Sequence, residues 1–498
     1  MTDHFPSDRR ERSASDGWFL LAFAALALVA LYSIWGGFYL PMVDLPQHAA
    51  QIGTWTDLGR AEYRFRDHFE INWFTPYLLG YMLARALATM VPLWAALKIV
   101  ISLSVLGIPL GMLGLLRRKG LDRWWALLGF PLAFGFAYGF GFFNYILAIP
   151  MGLFFLIRAW DYSRKPTVQR GVLLAILGAL LFAAHALVLG LCGLVAASFV
   201  LAHARNLREI LRRLVPLLSL LPVIGLWLYS TASRGEAALA QVPNEWKIGF
   251  ARIRQLPETL AGGDGDLFAL FLGALWIFWP ILWGYRPDKR VASSLPLTVV
   301  TLLFFFAPFA VFGMPFIYRR FALWWLVLWL FCLRPPAAEK GRRFLRAGIV
   351  LLALARLAVV GLEHRAFAQE AETFRPVLEA MEESKRVLYI DLRPGSRAVR
   401  GVPYLHFASW YQAEKHGIVD FSFAMFYPEL VRYRKDFIPP IPFGFEWTPN
   451  FDWFLHKDYE YFLIRSHRDA GPALFRGRLG EVHLEKRSGS WWLYRRLR

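Results

Sequence analysis

Apolar runs of about 20 residues recur along this chain, separated by short Arg-rich segments, and a helix needs a run of about that length to cross a bilayer. With 57% apolar residues, 21 Trp and 43 Phe to fill them, the fold class is a mainly α, polytopic membrane protein.

The formal net charge of +19 would by itself suggest a polyanion partner, but its distribution excludes nucleic acid. Residues 1–362 hold 35 Lys and Arg against 19 Asp and Glu, whereas residues 363–498 hold 21 against 18. The surplus lies between the apolar runs, where loops facing the cytoplasm collect Lys and Arg. The charge is a topology signal for a chain embedded in a lipid bilayer.

Arg9, Arg10 and Arg12 put a tail of residues 1–17 in the cytoplasm, so the first span, near Trp18–Phe38, delivers Asp44 to the outer side. A first outer loop, 39–73, follows. The apolar stretch 74–90 contains Arg85, whose burial at mid-bilayer would cost about 2.5 to 3.5 kcal/mol, so it is expected as a re-entrant or interfacial helix. The second span, Leu93–Leu116, then ends inside at Arg117, Arg118 and Lys119. Residues 124–158 and 171–205 are each bounded on both sides by Arg-rich segments and are expected as hairpins of two short helices, with outward tips at Gly135–Gly141 and His185. Spans near 214–231, 267–284, 292–312, 321–333 and 346–362 bring the total to about 11 transmembrane helices within residues 18–362.

Residues 363–498 change character and are expected as a soluble extracytoplasmic α/β domain. Glu363–Ser384 has helical periodicity, Arg386–Ile390 and Tyr459–Ile464 have strand composition, and Gly480–Lys486 with Trp491–Tyr494 form a strand pair around a turn at Arg487–Ser490. Cys192 and Cys332 both lie in apolar runs, so no disulfide is expected.

This topology collects the polar outliers on one side of the bilayer: Asp44, His48, Asp67, His68 and Glu70 in the first outer loop, Asn144, Tyr145 and His185 near the hairpin tips, and Arg319 with Arg320 before the tenth span. A carboxylate can accept a proton from an attacking hydroxyl and a cation can hold a leaving phosphate, so Asp44 with Arg319 or Arg320 suits transfer chemistry at a membrane surface. Each has a plainer reading. Asp44 precedes Leu45-Pro46 and suits a helix N-cap; His48, one turn on, could share a hydrogen bond or a divalent cation with it, although two ligands are too few to define a metal site. His68 and Glu70 suit a solvated loop, Asn144 a bond across helices, His185 an interfacial turn, and the two arginines a headgroup anchor.

An acidic residue directly after the first span, an interfacial segment containing Thr75-Pro76-Tyr77-Leu78-Leu79, a second span ending in Arg117-Arg118 and an outer domain after about 11 spans together resemble the glycosyltransferase C superfamily. Its arabinosyl, mannosyl and oligosaccharyl transferases use polyprenyl-phosphate sugars on the periplasmic or lumenal side. Many members carry two adjacent acidic residues in this loop, where this chain has Asp44-Leu45-Pro46-Gln47-His48. That pattern resembles a poorly characterised bacterial group near the superfamily.

The resemblance implies a multi-pass protein of a bacterial inner membrane, with its N-terminus cytoplasmic and its C-terminal domain periplasmic. It implies hexosyl or pentosyl transfer from a polyprenyl-phosphate-linked sugar to a glycan, lipid or protein acceptor, with a divalent cation possible. The resemblance maps Asp44 alone, onto the acidic catalytic position; in the leading reading Asp44 is expected as general base, His48 as orienting Asp44 or the acceptor, Arg319 and Arg320 as holding the lipid phosphate, and Asn144, Tyr145, His185, His68 and Glu70 as binding residues. The alternative is a lipid-linked glycan transporter or a non-catalytic cell-envelope assembly protein of the same architecture. A transporter should carry polar groups near mid-membrane, where this chain offers mainly Lys98 and Arg356.

Overall fold

The computed structural model describes residues 7–497 apart from 234–243, 264, 312, 337–340, 427, 440 and 442–443, with side chains from Asp16 onward. Arg9, Arg10 and Arg12 therefore fall outside the described side chains. Five of the described helices are long and apolar enough to cross a membrane: Asp16–Trp35, Leu93–Arg118, Phe143–Arg164, Ala186–His203 and the apolar part of Arg342–Ala380. Leu207–Leu218 and Leu221–Thr231 make a sixth if taken as one span bent by 48°. Val168–Ala184, Leu267–Leu282 and Val291–Phe306 are shorter apolar helices alongside them. Leu103, Leu110, Phe154, Phe271 and Phe278 stay exposed on these helices, as lipid-facing positions should.

The hairpin expected at 171–205 is present, with the break between Val168–Ala184 and Ala186–His203 at His185, where the backbone turns extended. The one expected at 124–158 has a different first limb. A 3-10 helix, Arg123–Leu128, continues into the short helices Gly129–Ala133 and Phe136–Phe140, and only Phe143–Arg164 is long. Gly129, Pro131, Gly135, Gly139 and Gly141 interrupt that limb, and both residue types disfavour a continuous helix interior. Leu78–Ala88 is an 11-residue helix within the segment 74–90.

Basic segments meet at one end of the bundle. Arg118 makes a two-pronged bond to Asp161 at 2.8 and 2.7 Å, Lys119 pairs with Asp288 at 2.9 Å, and Arg346 pairs with Asp122 at 3.0 Å. The opposite end carries Asp44 and the C-terminal sheet. The helix Arg342–Ala371 runs without interruption from the bundle into that C-terminal part.

There, five strands lie in the spatial order Ile418–Val419, Arg386–Asp391, Tyr461–Arg465, Trp491–Arg496 and Val482–Ser488. The first two junctions are parallel and the last two antiparallel. The final pair turns at Gly489-Ser490, tighter than the four residues expected, because the strand extends through Ser488. Strand alternation splits the side chains between two cores. Leu388, Ile390, Phe462, Ile464, Trp492 and Tyr494 face a local core, whereas Val387, Tyr389, Tyr461, Leu463, Trp491 and Leu493 join the core continuous with the bundle.

The sheet part is seated on the helix Leu45–Asp57 by a repeated device. Gln47 donates through Nε2 to the Phe421 carbonyl at 3.1 Å and accepts the Phe423 N–H at Oε1 at 2.9 Å. One turn on, Gln51 does the same with both backbone groups of Val431, at 3.0 and 2.7 Å. Each amide thus completes a piece of buried backbone that would otherwise lack partners. Beside them the strand Phe69–Ile71 pairs antiparallel with Val431–Tyr433, and the helix Ser409–Lys415 packs parallel to Leu45–Asp57, with Gln412 donating to Thr54 at 2.9 Å. At the closest approach, a Cβ on Gly53 would sit 2.9 Å from the Ala413 carbonyl oxygen.

That contact yields a direct test. Gly53→Leu forces backbone apart at the seat, an overpacking worth about 1 to 3 kcal/mol. Limited trypsin digestion of the full-length variant is expected to cut after residue 371 faster than in the wild type, while membrane extraction is unchanged; equal cutting would show that the seat does not hold the sheet part.

Candidate functional site

Asp44 stands at the N-cap position of Leu45–Asp57, with Pro46 in the first turn, but its side chain makes no capping hydrogen bond. The local fold explains why the carboxylate is held elsewhere. Gly141 has φ +85°, and a Cβ there would lie 2.7 Å from the Asp44 nitrogen, so only glycine lets the two segments approach. The Val43 and Asp44 N–H groups then donate to the Gly139 and Phe140 carbonyls at 3.2 and 3.0 Å. Braced in this way, Asp44 turns its Oδ1 to His406 Nδ1, 3.0 Å away.

Asp44 lines a cavity of about 140 Å³ at this end of the bundle, together with His48, Asn144, Tyr145, His185 and Arg320. The C-terminal part roofs it with His406, Glu429, Glu446 and Trp447, and Met314 and Pro315 close one side. His48 does not bond Asp44. Its Nδ1 lies 2.7 Å from the Tyr81 hydroxyl, which donates to Glu429 Oε2 at 2.8 Å. Arg320 lies over the Phe142 ring at 3.9 Å, and Tyr145 donates to the Arg320 carbonyl, fixing the start of the helix Ala322–Cys332 against Phe143–Arg164.

Burial dominates the electrostatics. It raises the Asp44 carboxyl above the usual carboxylate range, against the opposing hydrogen bond and charge of His406 and the charge of Arg320. It lowers His48 to about 3 and raises Glu429 to about 8, the latter helped by the negative charge of Asp44. At neutral pH His48 is therefore uncharged and Glu429 mostly protonated, while His406 and Arg320 oppose the upward push on Asp44. Five buried polar atoms of the lining, Asn144 Oδ1, His185 Nδ1, Arg320 Nε, His406 Nε2 and Glu446 Oε2, have no hydrogen-bond partner among the described residues. Each such atom costs about 1 to 3 kcal/mol unless something pairs with it, so the cavity suits a polar ligand that both donates and accepts hydrogen bonds.

The remaining candidates lie outside this cavity. Arg319 faces the adjoining spaces, with its guanidinium 5.0 Å from the Phe136 ring. His68 bonds the Arg64 carbonyl at 2.8 Å, and Glu70 pairs with Arg432 at 3.0 Å across the strand pair. Both serve the seat of the C-terminal part, because the strand Phe69–Ile71 that carries Glu70 is one half of that pairing. No group of three or more His, Cys, Asp or Glu among the described residues is placed to hold a metal ion; His48 and Asp44 point their bonds to different partners.

His406, Glu429, Glu446 and Tyr81 are site residues that sequence reading did not single out. The first three come from the C-terminal part, more than 350 residues from Asp44 in sequence, and Tyr81 sits in an apolar helix where a tyrosine is unremarkable.

No protein-family model matches the chain, and no curated protein matches it. Solved structures do. ArnT from Cupriavidus metallidurans in the apo state superposes with a TM-score of 0.56 at 12% identity, over 97% of this chain and 98% of that one. The same protein bound to undecaprenyl phosphate gives 0.54 at 12% identity, over 96% and 98%. The arabinofuranosyltransferase AftD from Mycobacteria gives 0.54 at 14% identity, over 96% of this chain and 41% of that longer one. The chain therefore has the fold of ArnT, which also covers part of AftD.

Proposed function

We propose that the protein is a membrane glycosyltransferase that moves a sugar from a polyprenyl-phosphate donor to an acceptor at the outer face of the inner membrane. One observation carries the reading: a carboxylate freed from capping and a buried guanidinium, Asp44 and Arg320, line one cavity where the bundle meets the sheet part. The fold shared with a protein that has been solved with undecaprenyl phosphate supports a lipid-phosphate ligand.

In this mechanism the acceptor hydroxyl attacks the anomeric carbon and gives its proton to Asp44, while the bond from that carbon to the phosphate oxygen breaks on the opposite side. The configuration inverts, and the polyprenyl phosphate leaves with the electron pair. Arg320 neutralises the phosphate as charge develops there, an interaction that strengthens towards the transition state. Neutral Glu429 lets the anion approach without repulsion. His48, uncharged and tied to Tyr81, holds that carboxyl in place, and the unpartnered atoms of Asn144, His185 and Glu446 take sugar and acceptor hydroxyls. Basic segments gathered at the far end of the bundle support a cytoplasmic orientation for that end and an outer one for the cavity.

A positioned base contributes about 100- to 10,000-fold. Asp44→Asn is therefore expected to slow transfer from a panel of undecaprenyl-phosphate pentoses and hexoses by at least about 100-fold, with membrane insertion unchanged. Full activity in that variant would remove Asp44 from the chemistry, and a transporter or an assembly protein would tolerate the change. Arg320→Ala is expected to weaken binding of undecaprenyl phosphate to the purified protein more than tenfold, which titration in nanodiscs would measure; unaltered binding would place the phosphate elsewhere.

Glu429 sets the sign of a pH effect. Below about 8 its carboxyl is protonated and neutral; above about 8 it ionises and repels the donor phosphate. The donor KM is expected to rise above pH 8 in the wild type and to stay flat in Glu429→Gln. A rise of equal size in both would assign the effect to another group.

A further inference from the structure

We infer that His406, supplied by the C-terminal part, is the positioning residue of Asp44: its Nδ1 holds Asp44 Oδ1 and thereby leaves the second carboxylate oxygen for the acceptor hydroxyl. This rests on the reading of Asp44 as the base, and it goes beyond that reading by making the base a dyad that spans two parts of the chain.

Three observations carry it. Asp44 and His406 are both buried and lie 3.0 Å apart, and among the described residues neither side chain makes another hydrogen bond. The imidazole is itself fixed, stacked on Phe421 with ring centres 5.0 Å apart and planes at 13°, and set edge-on to Phe423 at 5.6 Å and 75°. The backbone that carries those two rings is the stretch clamped by Gln47. The same helix that presents Asp44 at its start therefore grips, one turn later, the segment that orients the imidazole. Asp44 and His406 also hold matching places, just ahead of the two parallel packed helices Leu45–Asp57 and Ser409–Lys415.

The groups around the dyad fix the sign of its effect. Arg320 faces Asp44 from the bundle, and Glu429 faces it from the roof. His48, Glu446 and Asp391 lie within electrostatic reach of His406. Burial raises the carboxyl of Asp44, and the bond and charge of His406 oppose that rise. Without His406 the carboxyl would hold its proton to a higher pH and could not accept one from the acceptor until that pH is reached. His406 is thus a positioning residue, and it acts on substrate only through Asp44.

The test is an infrared titration of the full-length protein in lipid nanodiscs, following the C=O stretch of the protonated carboxyl. The Asp44 band is identified by its loss in Asp44→Asn. In His406→Ala the Asp44 midpoint is expected to move up by about one pH unit or more, and in His406→Gln, which keeps an N–H donor without the charge, by less. A melting curve of each variant in the same nanodiscs shows that it is folded. A His406→Ala midpoint equal to that of the wild type would overturn the dyad. Because the titration needs no substrate, it can fail while Asp44→Asn still abolishes transfer, and it can succeed even if Asp44 is not the base.

Discussion

Two glutamine side chains hold this molecule in register. Gln47 and Gln51, one helical turn apart, each use both ends of the amide to complete the backbone bonding of a segment roughly 380 residues away. A buried peptide group without a partner costs more than a hydrogen bond gains, so this seat allows only one alignment of helix and roof. A slide by one residue would break four bonds together. The strand pair at Phe69–Ile71 and the close approach at Gly53 add to the same alignment. The cavity depends on it, because His406, Glu429 and Glu446 of its polar lining belong to the seated part.

The cavity is costly in the way that functional sites are. It concentrates three carboxyl groups, Asp44, Glu429 and Glu446, beside Arg320 in one cavity of about 140 Å³, and burial pushes all three carboxyls upward. The fold answers by dividing their states. Glu429 keeps its proton and bonds Tyr81; Asp44 receives the opposing influence of His406 and Arg320. Environments that push neighbouring titratable groups apart separate a group that must be charged from one that must not be.

Much of this was legible in the residues. The length of the apolar runs gave the class, and Arg-rich boundaries gave a helix order in which His185 marks a turn, as it does. Asp44, His48, Asn144, Tyr145, His185 and Arg320 were singled out because a polar residue beside an apolar run is expensive, and they line one cavity. Arg319 was paired with Arg320 by adjacency, yet successive residues of a helical turn point in different directions. His68 and Glu70, expected as binding groups or as a solvated loop face, lie at and in the three-residue strand Phe69–Ile71, which carries no periodic signal. The roof residues were illegible for a related reason. His406 and Glu429 sit in irregular segments whose position comes only from tertiary seating, and no local pattern encodes a partner 350 residues away.

The bond between Asp44 and His406 joins positions 362 residues apart, and that separation orders events during synthesis. At ordinary elongation rates about 20 to 70 s pass between the two residues leaving the ribosome. Through that interval the segment that carries Asp44 exists without the residues that bond its carboxylate and roof the cavity. Until residues 406–447 are made and seated, Asp44 lacks its His406 partner and the cavity lacks its roof.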